Sequence, residues 1–367
     1  MLPVFFGWYF LSIFWSINKL YTLQYLFYIF CGSGITFIFI KNNNSQKKLK
    51  KVTNFIGKIF CVEIIFSLLE SLTSFRLPIS PFSNIVSFFG REPSLQPTLD
   101  SFALPSIIQP PTGFQWNPND LAIAMLIIVP FFLFLKQNFL KLIAISSILI
   151  IIIMTSSRSV LLSVGLLFII YLIFYKKQIA SVSLVILSTM IFFSQLEIMK
   201  DSENQQISDI ANTFSAIKNL INDELIIGQS LSIRKDLAAN GINALKSTYG
   251  LGVGGGGSIA VQERYGGVDG RITSMHNFWL EILVDAGILF ALIFFLWYGS
   301  LTFSLYKVGQ ASKSKFSRYL GKSISLSMII FVPASISASS VIYFFPMWLL
   351  FGFAISTLET EKKIRFE

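Results

Sequence analysis

The chain has 367 residues, of which 53% are hydrophobic and 13% charged, with a mean hydropathy of +0.67 and a formal net charge of +10. A soluble domain carries about a quarter charged residues, so the composition argues against a water-soluble globule. Short alternating segments of the transmembrane-barrel kind are absent, and the lysines gather in gaps between apolar runs, which argues against a nucleic-acid partner.

Apolar runs nearly free of charge fall near 2–17, 21–40, 54–72, 119–135, 140–155, 159–175, 179–195, 278–299, 323–339 and 342–357. They predict an all-α, polytopic helical membrane protein with about ten transmembrane helices, one integral membrane domain over 1–367. The start lacks a basic stretch and a small-residue cleavage site, so the first run is expected to be a retained helix. Cys31 and Cys61 lie in or beside apolar runs without metal-ligand spacing and read as buried structural thiols.

Charge sets the expected orientation. Lys41, Lys47, Lys48, Lys50, Lys51 and Lys58 fill one gap; Lys136 and Lys141 fill another, and Lys176 and Lys177 a third. Lys307, Lys313, Lys315, Arg318 and Lys322 follow, then Lys362, Lys363 and Arg365 in the tail. With an even number of spans all these regions share one side, which the positive-inside bias makes cytoplasmic, with both termini inside. A Pro-rich loop over 73–118 and a large loop over 196–277 then fall outside. The second is nearly balanced, with seven Lys or Arg and nine Asp or Glu.

Pro78, Pro81, Pro93, Pro97, Pro105, Pro110 and Pro111 make long regular helix unexpected in the first loop. At its end, Asn119 or Asp120 can cap the following helix, or Asn117 and Asn119 can line a polar site at the outer surface. The extracytoplasmic loop at 196–277 is expected to hold amphipathic helices. One is 207–224, with Ile207, Ile210, Phe214, Ile217 and Ile221 in helical spacing. The other is 231–247, with Leu231, Leu237, Ile242 and Leu245 and an interruption at Gly241.

Thr155-Ser-Ser-Arg-Ser159 joins two apolar runs. Arg158 there either snorkels to anchor a helix end or, with Ser156 and Ser157, binds phosphate through bidentate contacts. Arg234 and Lys235 are surface cations or part of a diphosphate site that stabilises a leaving charge. Gly250 to Gly257 holds six glycines in eight positions. It lacks the Lys-Ser/Thr ending of a nucleotide loop, and reads as a tight re-entry or as an anion or sugar nest that includes Gly252 and Gly254.

His276 is the single histidine. It opens the next helix as a candidate proton-transfer group or as a cap. Asn277 follows it, and Trp279 is an interfacial anchor or a sugar-stacking face. Glu281 and Asp285 lie four apart and are costly in lipid, so they are expected to face the interior, pairing with a cation or orienting substrate.

In this order the segments resemble the O-antigen ligase and polymerase superfamily. Gly113-Phe-Gln-Trp-Asn-Pro-Asn-Asp120 is similar to that family's entry to a central helix, and Thr155-Ser-Ser-Arg158 to its hydroxyl-rich turn with a functional arginine. Arg234 stands where a second arginine is expected, upstream of Gly250-Leu-Gly-Val-Gly254, and Met275-His-Asn-Phe-Trp-Leu-Glu-Ile-Leu-Val-Asp-Ala-Gly287 resembles the family's His-Asn-x-x-Leu-Glu segment. The resemblance covers roughly 110–300.

It implies a bacterial inner-membrane glycosyltransferase that uses no metal, no nucleotide sugar and no other cofactor. The donor would be a polyprenyl-diphosphate-linked oligosaccharide, and the acceptor lipid A core or a second lipid-linked glycan. Membrane lipids surround the protein, and a flippase or chain-length regulator is a possible partner. Arg158 and Arg234 would bind the diphosphate, His276 would act as base or position the acceptor hydroxyl, and Asn277 and Glu281 would support them. A transporter with an outer gate is the other class; it would spread functional polar groups through mid-membrane spans, which here are nearly uncharged.

Overall fold

The computed structural model describes residues 1–89, 110–136, 138–174, 224–265, 273–336, 338 and 342–366. The regular structure described is helical. The helices are α1 (Leu2–Leu11), α2 (Lys19–Asn42), α3 (Gln46–Leu72), α4 (Pro118–Leu133), α5 (Asn138–Met154), α6 (Arg158–Phe174), α7 (Glu224–Ser247), α8 (Gly257–Arg264), α9 (Phe278–Ala311), α10 (Lys315–Ala334) and α11 (Phe345–Phe366). The run at 179–195, residues 207–223 of the first amphipathic stretch, Lys176, Lys177, Pro93, Pro97 and Pro105 lie outside the described residues.

The expectation of about ten transmembrane helices is overturned. Among the described residues only α2, α3 and α9 are long and apolar enough to cross a membrane. Crossing takes about 20 apolar residues. The runs near 2–17, 119–135, 140–155 and 159–175 fold into shorter apolar helices of 10–17 residues. The last two runs become parts of α10 and α11, which carry serines and charged residues along their length. The three candidate spans agree with a membrane location. Cys31 and Cys61 are also corrected: both thiols are free and exposed on their helices.

Two compact units divide the chain, one of Met1–Val52 with Leu225–Glu367, the other of Thr53–Glu224. In the first, α9 and α10 form an antiparallel pair, read from Phe278 N–H on Ser335 O (3.2 Å), the Tyr298 hydroxyl on Met328 O (2.7 Å) and the close approach of Gly309 to Gly321. Gly32 lies under the Trp348 ring, while the Thr36 hydroxyl donates to Trp348 O at 2.9 Å and Phe39 packs at a tilt against Phe353, so α2 and α11 run parallel. Phe5, Tyr9, Phe290 and Phe294 form an aromatic core where α1 meets α9.

The second unit is organised on α4. Its residues from Asp120 to Pro130 are buried, as expected of a helix apolar on all sides. It packs against α5 and α6. Asn117 is its cap, accepting the Asn119 amide at 2.8 Å, with Pro118 as the first helical residue. The expected caps, Asn119 and Asp120, are instead inside the first turn, because proline suits the position whose N–H needs no partner.

Within α9, Gly287 has φ 83 and ψ 171, so the helix breaks there. A break releases carbonyls and amides that a straight helix would pair. Each released group named here finds a partner. Val284 O accepts Val253 N–H at 2.9 Å and Asp285 O accepts Gly254 N–H at 3.0 Å. Ala286 O accepts the Trp8 indole at 2.7 Å, and Ile288 N–H donates to Gly250 O at 2.9 Å.

A Cβ at Gly252 (φ 92) would stand 2.5 Å from Gly287 N and 2.6 Å from Asp285 O. Gly252→Ala should therefore lower stability by about 3 kcal/mol or more, from backbone overpacking and left-handed strain together. Gly34→Ala, at a helical site with nothing within 4 Å, should be neutral or raise it by about 0.5–1 kcal/mol. Thermal unfolding of both variants in detergent checks the contrast.

Candidate functional site

The glycine-rich segment in the first unit packs directly on the break in α9. Its amides are directed to protein acceptors. Gly250 N–H donates to Leu245 O, Leu251 N–H to Thr248 O, and Gly252 N–H to the Thr248 hydroxyl. Gly255 N–H reaches the Ser12 hydroxyl at 3.3 Å. The Asp285 carboxylate accepts Gly256 N–H and Ser258 N–H, both at 2.8 Å. Asp285 thus caps α8 from a neighbouring helix, in the place where an anion would meet a helix start. Gly252 and Gly254 let the backbones touch: a Cβ at Gly254 would collide with Ser16.

Glu281, one turn earlier on α9, is 2% exposed and accepts the Tyr25 hydroxyl at 2.7 Å. Glu281 and Asp285 face the interior as expected. The bonds described for Asp285 come from amides. Its use as a helix cap, and the tyrosine on Glu281, join residues far apart in sequence and have no local signature.

His276 has φ 45, a left-handed backbone that few non-glycine residues adopt. The residue is half-buried, and its backbone N–H donates to the Ser274 hydroxyl at 3.3 Å. Asn277 caps α9, its side-chain oxygen accepting Trp279 N–H and Leu280 N–H at 3.2 Å each. The Trp279 indole donates to Val332 O at 2.9 Å, and its ring packs against Tyr298 and Phe295.

Arg234 and Lys235 lie on α7. The face of α7 through Leu237, Gly241 and Leu245 is buried; Arg234 is half-buried on the same face, and Lys235 is exposed. Gly241 does not interrupt the helix. It admits Met275, since a Cβ there would be 2.7 Å from the Met275 methyl and 3.0 Å from Val284. Val253, Val261, Met275 and Val284 form a buried apolar cluster edged by Ala244 and Leu280. The helix bearing Arg234, the glycine-rich segment and the segment bearing His276 thus share one core.

The remaining predicted residues lie in the second unit. Arg158 is the first residue of α6 and half-buried. Ser157 before it is 3% exposed, and Ser156 has φ 56. Asn119 is half-buried in the first turn of α4, directly after the Asn117 cap and Pro118. Ahead of that turn the buried Glu70 carboxylate accepts Leu77 N–H (3.0 Å), Thr112 N–H (2.8 Å) and Gly113 N–H (2.7 Å), tying the two ends of the proline-rich loop. Burial pulls the nearby Arg76 guanidinium down from its usual value, and Glu70 opposes that shift. Sequence reasoning missed Glu70; a lone acid near the end of an apolar run is the available signal. Among the described residues no group of three or more His, Cys, Asp or Glu is placed to hold a metal.

Residues 142–296 match the family described as O-Antigen ligase. Through this stretch the chain is similar to the O-antigen ligase family. The O-antigen ligase match contains Arg158, Arg234 and His276. The teichuronic acid biosynthesis protein TuaE of Bacillus subtilis (strain 168) is 28% identical over 133 residues, which cover 36% of this chain and 27% of that protein. The chain therefore matches about a quarter of that relative's length. No solved structure matches it.

Replacing Asp285 by Asn would put amide hydrogens where one of two N–H groups needs an acceptor. Asp285→Asn should cost about 1–3 kcal/mol for that buried donor. Limited proteolysis between Gly250 and Arg264 should accelerate; unchanged cleavage would show that Asp285 does not hold α8.

Proposed function

We propose that the protein transfers or polymerises a polyprenyl-diphosphate-linked glycan onto an acceptor hydroxyl at the outer face of the cytoplasmic membrane. The observation that carries this reading is the O-antigen ligase match, which encloses both arginines and the histidine. The shared core beneath Arg234 and His276 supports it, because transfer needs a cation and a proton acceptor held in one frame.

In the proposed step the acceptor oxygen attacks the anomeric carbon of the reducing-end sugar. The bond from that carbon to the polyprenyl diphosphate breaks, its electron pair leaving with the diphosphate. The acceptor proton passes to the His276 imidazole, or His276 orients the hydroxyl for loss of the proton to water. Arg158 and Arg234 offset the charge that grows on the leaving diphosphate. Ser156, Ser157, Asn117, Asn119 and Lys235 are proposed donor contacts, and Trp279 a sugar-facing ring. Asn277 and Glu281 hold His276 and its helix in place, and Gly252 and Gly254 contribute through close backbone approach.

Similarity to a protein named for teichuronic acid biosynthesis favours a polysaccharide product. The polymerase form, in which a second lipid-linked repeat is the acceptor, therefore takes precedence over a ligase acting on lipid A core. A flippase that supplies the donor and a chain-length regulator are the fitting partners.

Purified protein in proteoliposomes, given a defined polyprenyl-diphosphate oligosaccharide with either a second lipid-linked repeat or lipid A core, tests both forms. Longer lipid-linked glycan is expected; glycan on the core would identify a ligase, and neither product would sink the reading. His276→Ala should lower kcat by about 10²–10⁴-fold with donor KM little changed, as for loss of a general base. Arg234→Ala should lower kcat/KM by about 10²-fold or more, as for loss of one preorganised charge-stabilising donor. Full activity in His276→Ala would remove the histidine from the mechanism.

A further inference from the structure

Gln262 lies on α8 with its side chain wholly buried beside the apolar cluster of Val253, Val261, Met275 and Val284. A buried amide is costly unless its polar atoms are paired. Its nitrogen donates to Leu237 O at 2.9 Å and to the Met275 sulfur at 3.3 Å. Its oxygen accepts the Asn240 side-chain amide at 3.0 Å. Two of these contacts are on α7, and the third is on the residue before His276.

Leu237 follows Arg234 by three positions on the packed face of α7, so fixing its carbonyl fixes the turn that carries the guanidinium. Met275 enters the notch at Gly241 on the same face. His276 follows at once in a left-handed conformation, which sets the direction of the ring. Apolar packing alone would let α7 slide or rotate against this segment, whereas a three-point amide clamp admits one register.

We propose that Gln262 is a positioning residue: it locks α7, and with it Arg234, to the segment that presents His276. The proposal rests on the reading that Arg234 and His276 perform the transfer. Gln262 itself touches neither, and acts through Leu237 and Met275.

The test uses full-length protein in proteoliposomes with Cys31 and Cys61 replaced by serine and nitroxide labels at Lys235→Cys and Thr273→Cys. In the Gln262 protein the label-to-label distance distribution should be narrow. In Gln262→Leu, which keeps the volume and removes all three polar contacts, it should broaden, and Asn240→Ala, which removes one, should broaden it less. An unchanged distribution in Gln262→Leu overturns the clamp. Should that variant fail to accumulate in membranes, Asn240→Ala decides by the same criterion.

Activity supplies the second readout. Gln262→Leu should lower kcat/KM by about tenfold or more on an otherwise native background, since a misplacement of roughly 1 Å can cost about 10²-fold. On an Arg234→Ala background the same substitution should cost less than about threefold, as sites that act through one another are non-additive. Equal losses on both backgrounds would leave Gln262 merely structural. If Arg234→Ala and His276→Ala keep full activity while the distances broaden, the transfer reading fails and the clamp stands.

Discussion

The first unit depends on the break at Gly287. Within a candidate membrane helix, unpaired backbone groups are among the most expensive features a protein can carry, because lipid offers no hydrogen bonds. Here the break is made good by the chain itself. Val253 and Gly254 donate to the carbonyls of Val284 and Asp285, Gly250 accepts from Ile288, and Trp8 reaches Ala286. The glycine-rich segment therefore behaves as a short backbone ladder laid against a broken helix. It contains glycine because the two segments approach to distances that no Cβ permits.

That ladder explains why the polar groups around it are placed as they are. Once Gly250 to Gly254 are fixed on α9, the chain must turn into α8, whose first amides point at Asp285. A carboxylate there meets the positive end of a helix without needing a free cation. The amides of the segment are spent within the protein, so under the proposed function the diphosphate contacts fall to side chains, and arginine suits them by its planar pair of donors. The glycines then govern the position of α8, hence of Gln262, and Gly250 also closes the last turn of α7 through Leu245 O.

Much of this was legible in the sequence, and the legible parts share a cause. The helix over 231–247 and the inward carboxylates at 281 and 285 follow from spacing within one turn or one element, whereas the cap of α9 is Asn277 and not His276. The Asp285 cap of α8 and the tyrosine on Glu281 were not legible because their partners lie far away along the chain. Asn117 rather than Asn119 caps α4 because of a proline next to it, a local effect that was available but competed with a motif reading. The count of membrane helices failed for another reason. Hydropathy marks runs but does not set helix ends, and runs such as 119–135 and 140–155 close as helices too short to span a bilayer.

Left-handed backbone at non-glycine residues sharpens the picture. Among the described residues it occurs at Ser156, Tyr249 and His276. Each costs about 1–2 kcal/mol. Tyr249 is fully exposed at the end of α7, where a chain reversal is enough to account for it. Ser156 and His276 each sit within two residues of a helix start, beside Arg158 and Asn277 respectively. A chain that only needed to turn there could use glycine. Strained backbone of this kind persists only where the surrounding packing bears the strain. The packing in question differs between the two. At His276 it is Met275 driven into the notch at Gly241, so the same contact that seats the strained residue also holds α7 beside it.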